Sequence, residues 1–107
     1  MRSMDIFDAL ADPTRRKIVE LLADSGPLPA SEICDHFPVS RPAISQHLKA
    51  LRLAGLVEME KQAQQRIYRL NPQAVQHLES WAKGLTQVWS QRYQALDALL
   101  ELEKKKL

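Results

Sequence analysis

Apolar positions recur first at helical and then at alternating spacing along the chain, and the switch falls at Gly55. Residues Met4 to Leu10 make a short helical stripe, with Ile6, Phe7 and Leu10 its apolar positions, that ends at Asp12-Pro13. There the chain restarts: the Asp12 carboxylate can cap a second helix, and Pro13 sits at its first position, where a missing N–H costs nothing. In that helix Ile18, Val19, Leu21 and Leu22 oppose Arg15, Arg16, Lys17 and Glu20, and the breaker run Ser25-Gly26-Pro27 ends it near Asp24. A short third helix is expected over residues 31–37, with Ile33 and Phe37 on one face and Pro38 as its stop. Val39-Ser40 then forms a turn. Ser40 caps a fourth helix over residues 40–54, which carries Pro42 in its first turn and ends where Gly55 can supply a left-handed cap. Two helices joined so tightly predict a helix-turn-helix.

After Gly55, residues 56–60 and 66–70 read as short strands around the polar run 61–65, which predicts a two-stranded β-hairpin, or wing, over residues 56–70. Asn71-Pro72 opens a last helix, and with Gly84 as its one glycine it is expected to run unbroken to about residue 104. The expected fold is mainly α with an α+β wing. It is a winged helix-turn-helix of about five helices and one hairpin, a single domain over residues 1–107, with a long C-terminal helix for dimerisation.

The fourth helix carries the functional reading. At 3.6 residues per turn Ile44, Leu48 and Leu51 share an inward face, which turns Arg41, Pro42, Ser45, Gln46 and Lys49 outward. Short polar side chains let a helix axis approach a DNA groove closely. Gln46 can pair with adenine, Arg41 with guanine or a phosphate, and Ser45 with either, while the N-terminus at Ser40 offers N–H groups to a phosphate. A solvated amphipathic helix would show a similar face. The order of short helix, tight turn, capped polar helix and charged hairpin favours the DNA reading over that one.

The last helix has an apolar stripe of three adjacent columns. Leu78, Leu85 and Leu99 form one, interrupted by Arg92; Trp81, Val88, Ala95 and Leu102 form the second, and Ala82, Trp89 and Leu96 the third. A chain this size has too little of its own surface to cover such a stripe, so it is expected to bury against a second copy, joined by Ile6, Phe7 and Leu10. Two recognition helices related by a two-fold would then engage half-sites about 34 Å apart.

Composition narrows this picture. The 107 residues carry a formal charge of +2, too small to argue for nucleic acid unless the cations cluster. No apolar run approaches the ~20 residues needed to span a bilayer, and residues 1–12 lack the apolar centre of a secretion signal, so a soluble cytoplasmic protein is expected. With Cys34 as its one cysteine, the chain cannot form an internal disulfide. Glycine-rich phosphate loops, nucleophile elbows and paired carboxylates are absent from the sequence, which argues against an enzyme.

Four stretches together resemble the ArsR-type winged-helix repressors, particularly the SdpR-like autorepressor branch. They are Ala9-Leu10-Ala11-Asp12-Pro13-Thr14-Arg15-Arg16, then Ser40-Arg41-Pro42-Ala43-Ile44-Ser45-Gln46-His47-Leu48-Lys49-Ala50-Leu51, then Ala54-Gly55-Leu56-Val57, and Arg66-Ile67-Tyr68-Arg69-Leu70. The resemblance implies a homodimer that binds double-stranded DNA at an imperfect palindromic operator, with the fourth helix in the major groove and the wing along the backbone or minor groove. The wing turn lacks the glycine and extra arginines common in the family, which leaves Lys61 and Arg66 as its phosphate contacts. Thiol-based metal sensing in the family uses clustered cysteines near the third helix, and the run 29–34 retains only Cys34. The paired acid and histidine sites of the last helix would need more than His77 and Glu79. His47 reads as a structural hydrogen-bond partner, and His36 has no neighbour at ligand spacing. No metal or cofactor is therefore expected, and the effector is unassigned. Two alternatives stay open: a winged-helix protein-interaction module without DNA binding, and a metal- or thiol-responsive member of the same repressor family.

Overall fold

The computed structural model describes residues 5–106, so Met4, at the head of the first stripe, lies outside the described residues. The elements run α1 (Ile6–Leu10), α2 (Pro13–Ser25), β1 (Leu28–Pro29), α3 (Ala30–Asp35), α4 (Arg41–Leu53), β2 (Val57–Gln62), β3 (Gln65–Leu70) and α5 (Pro72–Lys106). Contacts divide the chain into two compact units, one ending at Val75 and the other beginning at Gln76.

In the first unit, helix ends are satisfied by local side chains. The Asp5 carboxylate accepts the Asp8 N–H at 2.8 Å, and Asp8 returns the bond to the Asp5 N–H, closing a capping box. Asp12 caps α2 by accepting the Arg15 N–H at 2.9 Å. Arg15 in turn donates through Nε to the Ala9 carbonyl at 2.7 Å and through its second nitrogen to the Asp8 carbonyl at 3.2 Å, while Arg16 reaches the Leu10 carbonyl at 3.2 Å. The first turn of α2 thus supplies donors to the C-terminal carbonyls of α1, which fixes the corner between them. His47 Nδ1 lies 3.8 Å from Asp12 Oδ2, a charge contact when the imidazole is protonated and too long for the hydrogen bond expected of it.

The core of this unit is aliphatic. Ile18, Ile33, Ile44, Leu48, Leu51 and Leu56 are fully buried, with Ala9, Leu22, Val57 and Tyr68 around them. Burial of each large aliphatic side chain is worth about 1.5–3 kcal/mol, so the inward stripe Ile44, Leu48 and Leu51 governs how α4 is rotated. The helix ends in a Schellman motif: the Gly55 N–H bonds to the Arg52 carbonyl and the Leu56 N–H to the Leu51 carbonyl, both at 3.0 Å. Gly55 takes the φ of +81° that the motif requires. Leu51 and Leu56, which accompany the two ends of the longer bond, are both buried.

Three expectations need correction. The hairpin gains a third strand, giving an antiparallel sheet of order β1-β3-β2 in which Leu28 faces Tyr68 and Pro29 faces Ile67. The polar run 61–65 is not a five-residue loop: β2 and β3 stay in register out to Gln62 opposite Gln65, and a two-residue turn at Ala63-Gln64 joins them. Ala63 adopts φ +54°, the left-handed region that such turns demand of their first residue. Finally, α3 occupies Ala30–Asp35 instead of 31–37, because His36 and Phe37 tighten into turns on the Ile33 and Cys34 carbonyls before Pro38 is reached.

Asn71 joins the sheet to α5. Its Nδ2 donates to the Gly55 carbonyl at 2.9 Å, its Oδ1 accepts the Gln73 N–H at 3.1 Å, and its backbone N–H donates to the Leu56 carbonyl. Helix α5 then runs 35 residues, two past the expected end. In the second unit Trp81, Leu85, Val88, Trp89, Leu96 and Leu99 are each more than half exposed. Trp89 and Tyr93 meet edge to face at 5.2 Å, and Lys83 pairs with Glu79 at 2.9 Å.

Two backbone positions predict opposite signs. An added Cβ at Gly55 meets nothing within 4 Å, so Gly55→Ala should cost about 1 kcal/mol through its φ alone. By the same reasoning Ala63→Gly should raise stability by up to about 1 kcal/mol, both read from urea midpoints. The cap bond from Arg15 holds the Asp12 carboxyl below its ordinary value of 3.8, aided by the charges of His47 and Arg15. A lowered folded value stabilises above the unfolded one and is lost as pH falls through the folded one. The stability difference between the natural chain and Asp12→Asn should therefore shrink as pH falls below 3.8.

Candidate nucleic-acid interface

Fixing the inward stripe of α4 decides what faces outward. Ser40, Arg41, Pro42, Ser45, Gln46 and Lys49 are all exposed, in agreement with the helical spacing. Ser40 also accepts the Ala43 N–H on Oγ at 3.3 Å, so its hydroxyl is engaged as the N-cap. Arg41 and Pro42 occupy the first two helical positions, and Ser45, Gln46 and Lys49 follow along the same side.

The hairpin contributes the second wall. Pairing places Val57 opposite Leu70, Met59 opposite Tyr68 and Lys61 opposite Arg66. Residues two apart on a strand share a face, so Lys61 and Arg66 lie on the side of the sheet that also carries buried Val57 and Tyr68. The opposite face holds the sheet's ion pair, Arg69 Nε to Glu58 Oε2 at 3.0 Å. Both carboxylates of β2, Glu58 and Glu60, thus lie on the far side, while two like charges sit directly opposite one another on the near side. Like charges across strands are destabilising by a few tenths of a kcal/mol, a cost that an anionic partner would remove.

The two walls enclose a cleft of about 430 Å³ lined by Ala30, Ser45, Gln46, Leu48, Lys49, Arg52, Leu53, Arg66 and Tyr68. It brings together four of the residues expected from sequence: Ser45, Gln46, Lys49 and Arg66. Arg41 and Pro42 stand nearer the start of α4, outside the cleft, and Lys61 is the cross-strand neighbour of Arg66. Arg52, Leu53 and Tyr68 were not anticipated. The i, i+4, i+7 spacing of Ser45, Lys49 and Arg52 was the available signal for Arg52, and the two-residue step from Arg66 was the signal for Tyr68.

Elsewhere, Cys34 is a half-buried free thiol, His36 and His77 are exposed, and no three His, Cys, Asp or Glu side chains gather among the described residues. No helix among them is long and apolar enough to cross a membrane.

Comparison with known proteins gives this geometry a family. Residues 12–59, from the α2 cap into β2, match the arsR family of bacterial regulatory proteins. The chain is 46% identical over 85 residues to the HTH-type transcriptional regulator Rv2034 of Mycobacterium tuberculosis, covering 75% of this chain and 78% of that one. It is 39% identical to the transcriptional repressor SdpR of Bacillus subtilis, covering 72% and 84% of the two chains. With the arsenical resistance operon repressor of Escherichia coli it shares 36% identity, covering 91% and 80%. An ArsR-like transcriptional regulator from Rhodococcus sp. RHA1 superposes with a TM-score of 0.74 at 32% identity over 88% of each chain. These relatives are regulators and not enzymes. The helix-turn-helix, the wing and the relatives agree, and the chain belongs to the arsR family of bacterial regulatory proteins.

Proposed function

We propose that the protein is a cytoplasmic, homodimeric transcriptional repressor that binds an imperfect palindromic operator in double-stranded DNA and blocks transcription by occupying the promoter. The observation that carries this reading is the outward face of α4: Ser45, Gln46 and Lys49 are exposed, small or extended polar side chains beside a cationic wing. In this reading Gln46 and Arg41 contact base edges, Ser45 and Pro42 let the helix approach, Ser40 and Lys49 meet phosphates, and Lys61 and Arg66 hold the backbone beside the wing. The relatives named as repressors, among them SdpR of Bacillus subtilis and the arsenical resistance operon repressor of Escherichia coli, support the direction of regulation.

Dimerisation is assigned to the exposed stripe of α5, with Leu78, Trp81, Leu85, Val88, Trp89, Leu96 and Leu99, together with Ile6, Phe7 and Leu10 of α1. Trp89 is 62% and Leu99 61% exposed in the single chain, a large apolar area to leave in water. A protein-interaction module would need an apolar outer face on α4, and Leu53 is a single large apolar side chain among polar neighbours there.

Binding to duplexes selected from a random pool, measured by fluorescence anisotropy, tests the reading face. Arg41→Ala and Gln46→Ala should each weaken the selected site by about 1–3 kcal/mol and relax base preference, whereas Lys61→Ala should weaken all duplexes alike and lower the salt slope. An unchanged preference in Gln46→Ala would remove the assigned face. Leu85→Glu together with Leu96→Glu should shift sedimentation to the monomer and weaken operator binding far more than either reading-face variant. If those substitutions leave the mass unchanged, α5 is not the interface.

A further inference from the structure

The cleft between α4 and β3 holds more positive charge than the reading face needs. Lys49 and Arg52 come from one helix and Arg66 from the facing strand, and no carboxylate lines the space. Arg69, the neighbouring cation, is paired with Glu58, whereas Lys49, Arg52 and Arg66 form no hydrogen bond or ion pair among the described residues. Tyr68 is only 6% exposed and lines the cleft. Its hydroxyl has no hydrogen-bond partner among the described residues, and no side-chain oxygen sealed from solvent lacks one, so this hydroxyl reaches solvent on a residue that lines the cleft. Three unpaired cations around a nearly buried phenol that offers a hydrogen bond make a site for a phosphoryl oxyanion.

Resting on the DNA-binding reading above, we infer that this cleft seats one backbone phosphate of the bound duplex, held by Arg52, Arg66 and Lys49, with the Tyr68 hydroxyl as a neutral donor. A helix in the major groove and a wing along the adjacent minor groove lie on either side of one DNA strand, and that strand must cross the space between α4 and β3. Arg52 and Tyr68 are then phosphate-positioning residues that set how deep α4 sits without reading any base.

The test compares the natural chain, Arg52→Ala, Tyr68→Phe and Gln46→Ala on the selected duplex and a scrambled one across a salt series. Thermal melting serves to show that each variant is folded. Arg52→Ala should weaken both duplexes equally, by roughly three- to tenfold, and lower the log–log salt slope by about one. Tyr68→Phe should weaken both by about two- to fivefold with the slope unchanged, because a neutral hydroxyl displaces no counterion. Replacing backbone phosphates one at a time by methylphosphonate should reveal one position per half-site that hurts the natural chain but costs Arg52→Ala nothing more. If both cleft variants bind like the natural chain while Gln46→Ala still loses site preference, the cleft is not a phosphate seat, although the DNA reading stands. If no duplex is preferred at all, both fail. Inorganic phosphate, titrated by its phosphorus resonance, separates the remaining source: tight binding that Arg52→Ala abolishes while duplex affinity is untouched would assign the cleft to a small free anion and overturn the proposal.

Discussion

Burial of Ile44, Leu48 and Leu51 is the interaction on which the rest of the molecule depends. These three side chains, 0–1% exposed, fix the rotation of α4 about its own axis. Together they contribute several kcal/mol, whereas a surface charge contributes about 1 kcal/mol or less. Once they are seated against α2 and the sheet, Ser45, Gln46 and Lys49 have no alternative but to face solvent. The reading face is therefore a by-product of core packing, and changes on it can alter preference without altering the fold.

The caps around this core hold the two walls of the interface at a fixed separation. The Schellman motif at Gly55 and the Asn71 bond to the Gly55 carbonyl tie the end of α4 to both ends of the hairpin. Arg15 and Arg16 hold α1 against the start of α2 in the same manner. Strand alternation puts Arg69 on the far face of the sheet, where it pairs with Glu58, and leaves Lys61 and Arg66 on the α4 side without a carboxylate opposite them. Electrostatics and backbone geometry thus act on the same surface from independent parts of the sequence.

Much of this was legible in the residues. Asp12-Pro13, Ser40 and Gly55 each carry a local mechanism, a cap or a left-handed turn, and helix boundaries followed them closely. The elements that escaped lack such local signals. Strand β1 is two residues long and contains Pro29, so its existence depends on distant Tyr68 and Ile67 and not on any periodicity of its own. The tight turn at Ala63 was hidden because the residue that usually marks a positive φ is glycine or asparagine, and here alanine carries the strain. Arg52 and Tyr68 were missed for a related reason: a helix pattern and a strand pattern each show one wall, and only the folded chain sets the two walls around one space.

The central claim is that two copies of α4, outward face first, occupy successive major-groove turns of one duplex. Hydroxyl-radical footprinting of the purified protein on its selected duplex tests it most directly. The account predicts two protected patches on one face of the DNA, centred about one helical turn or roughly 34 Å apart. A single unpaired patch, or uniform protection that does not depend on sequence, would contradict it.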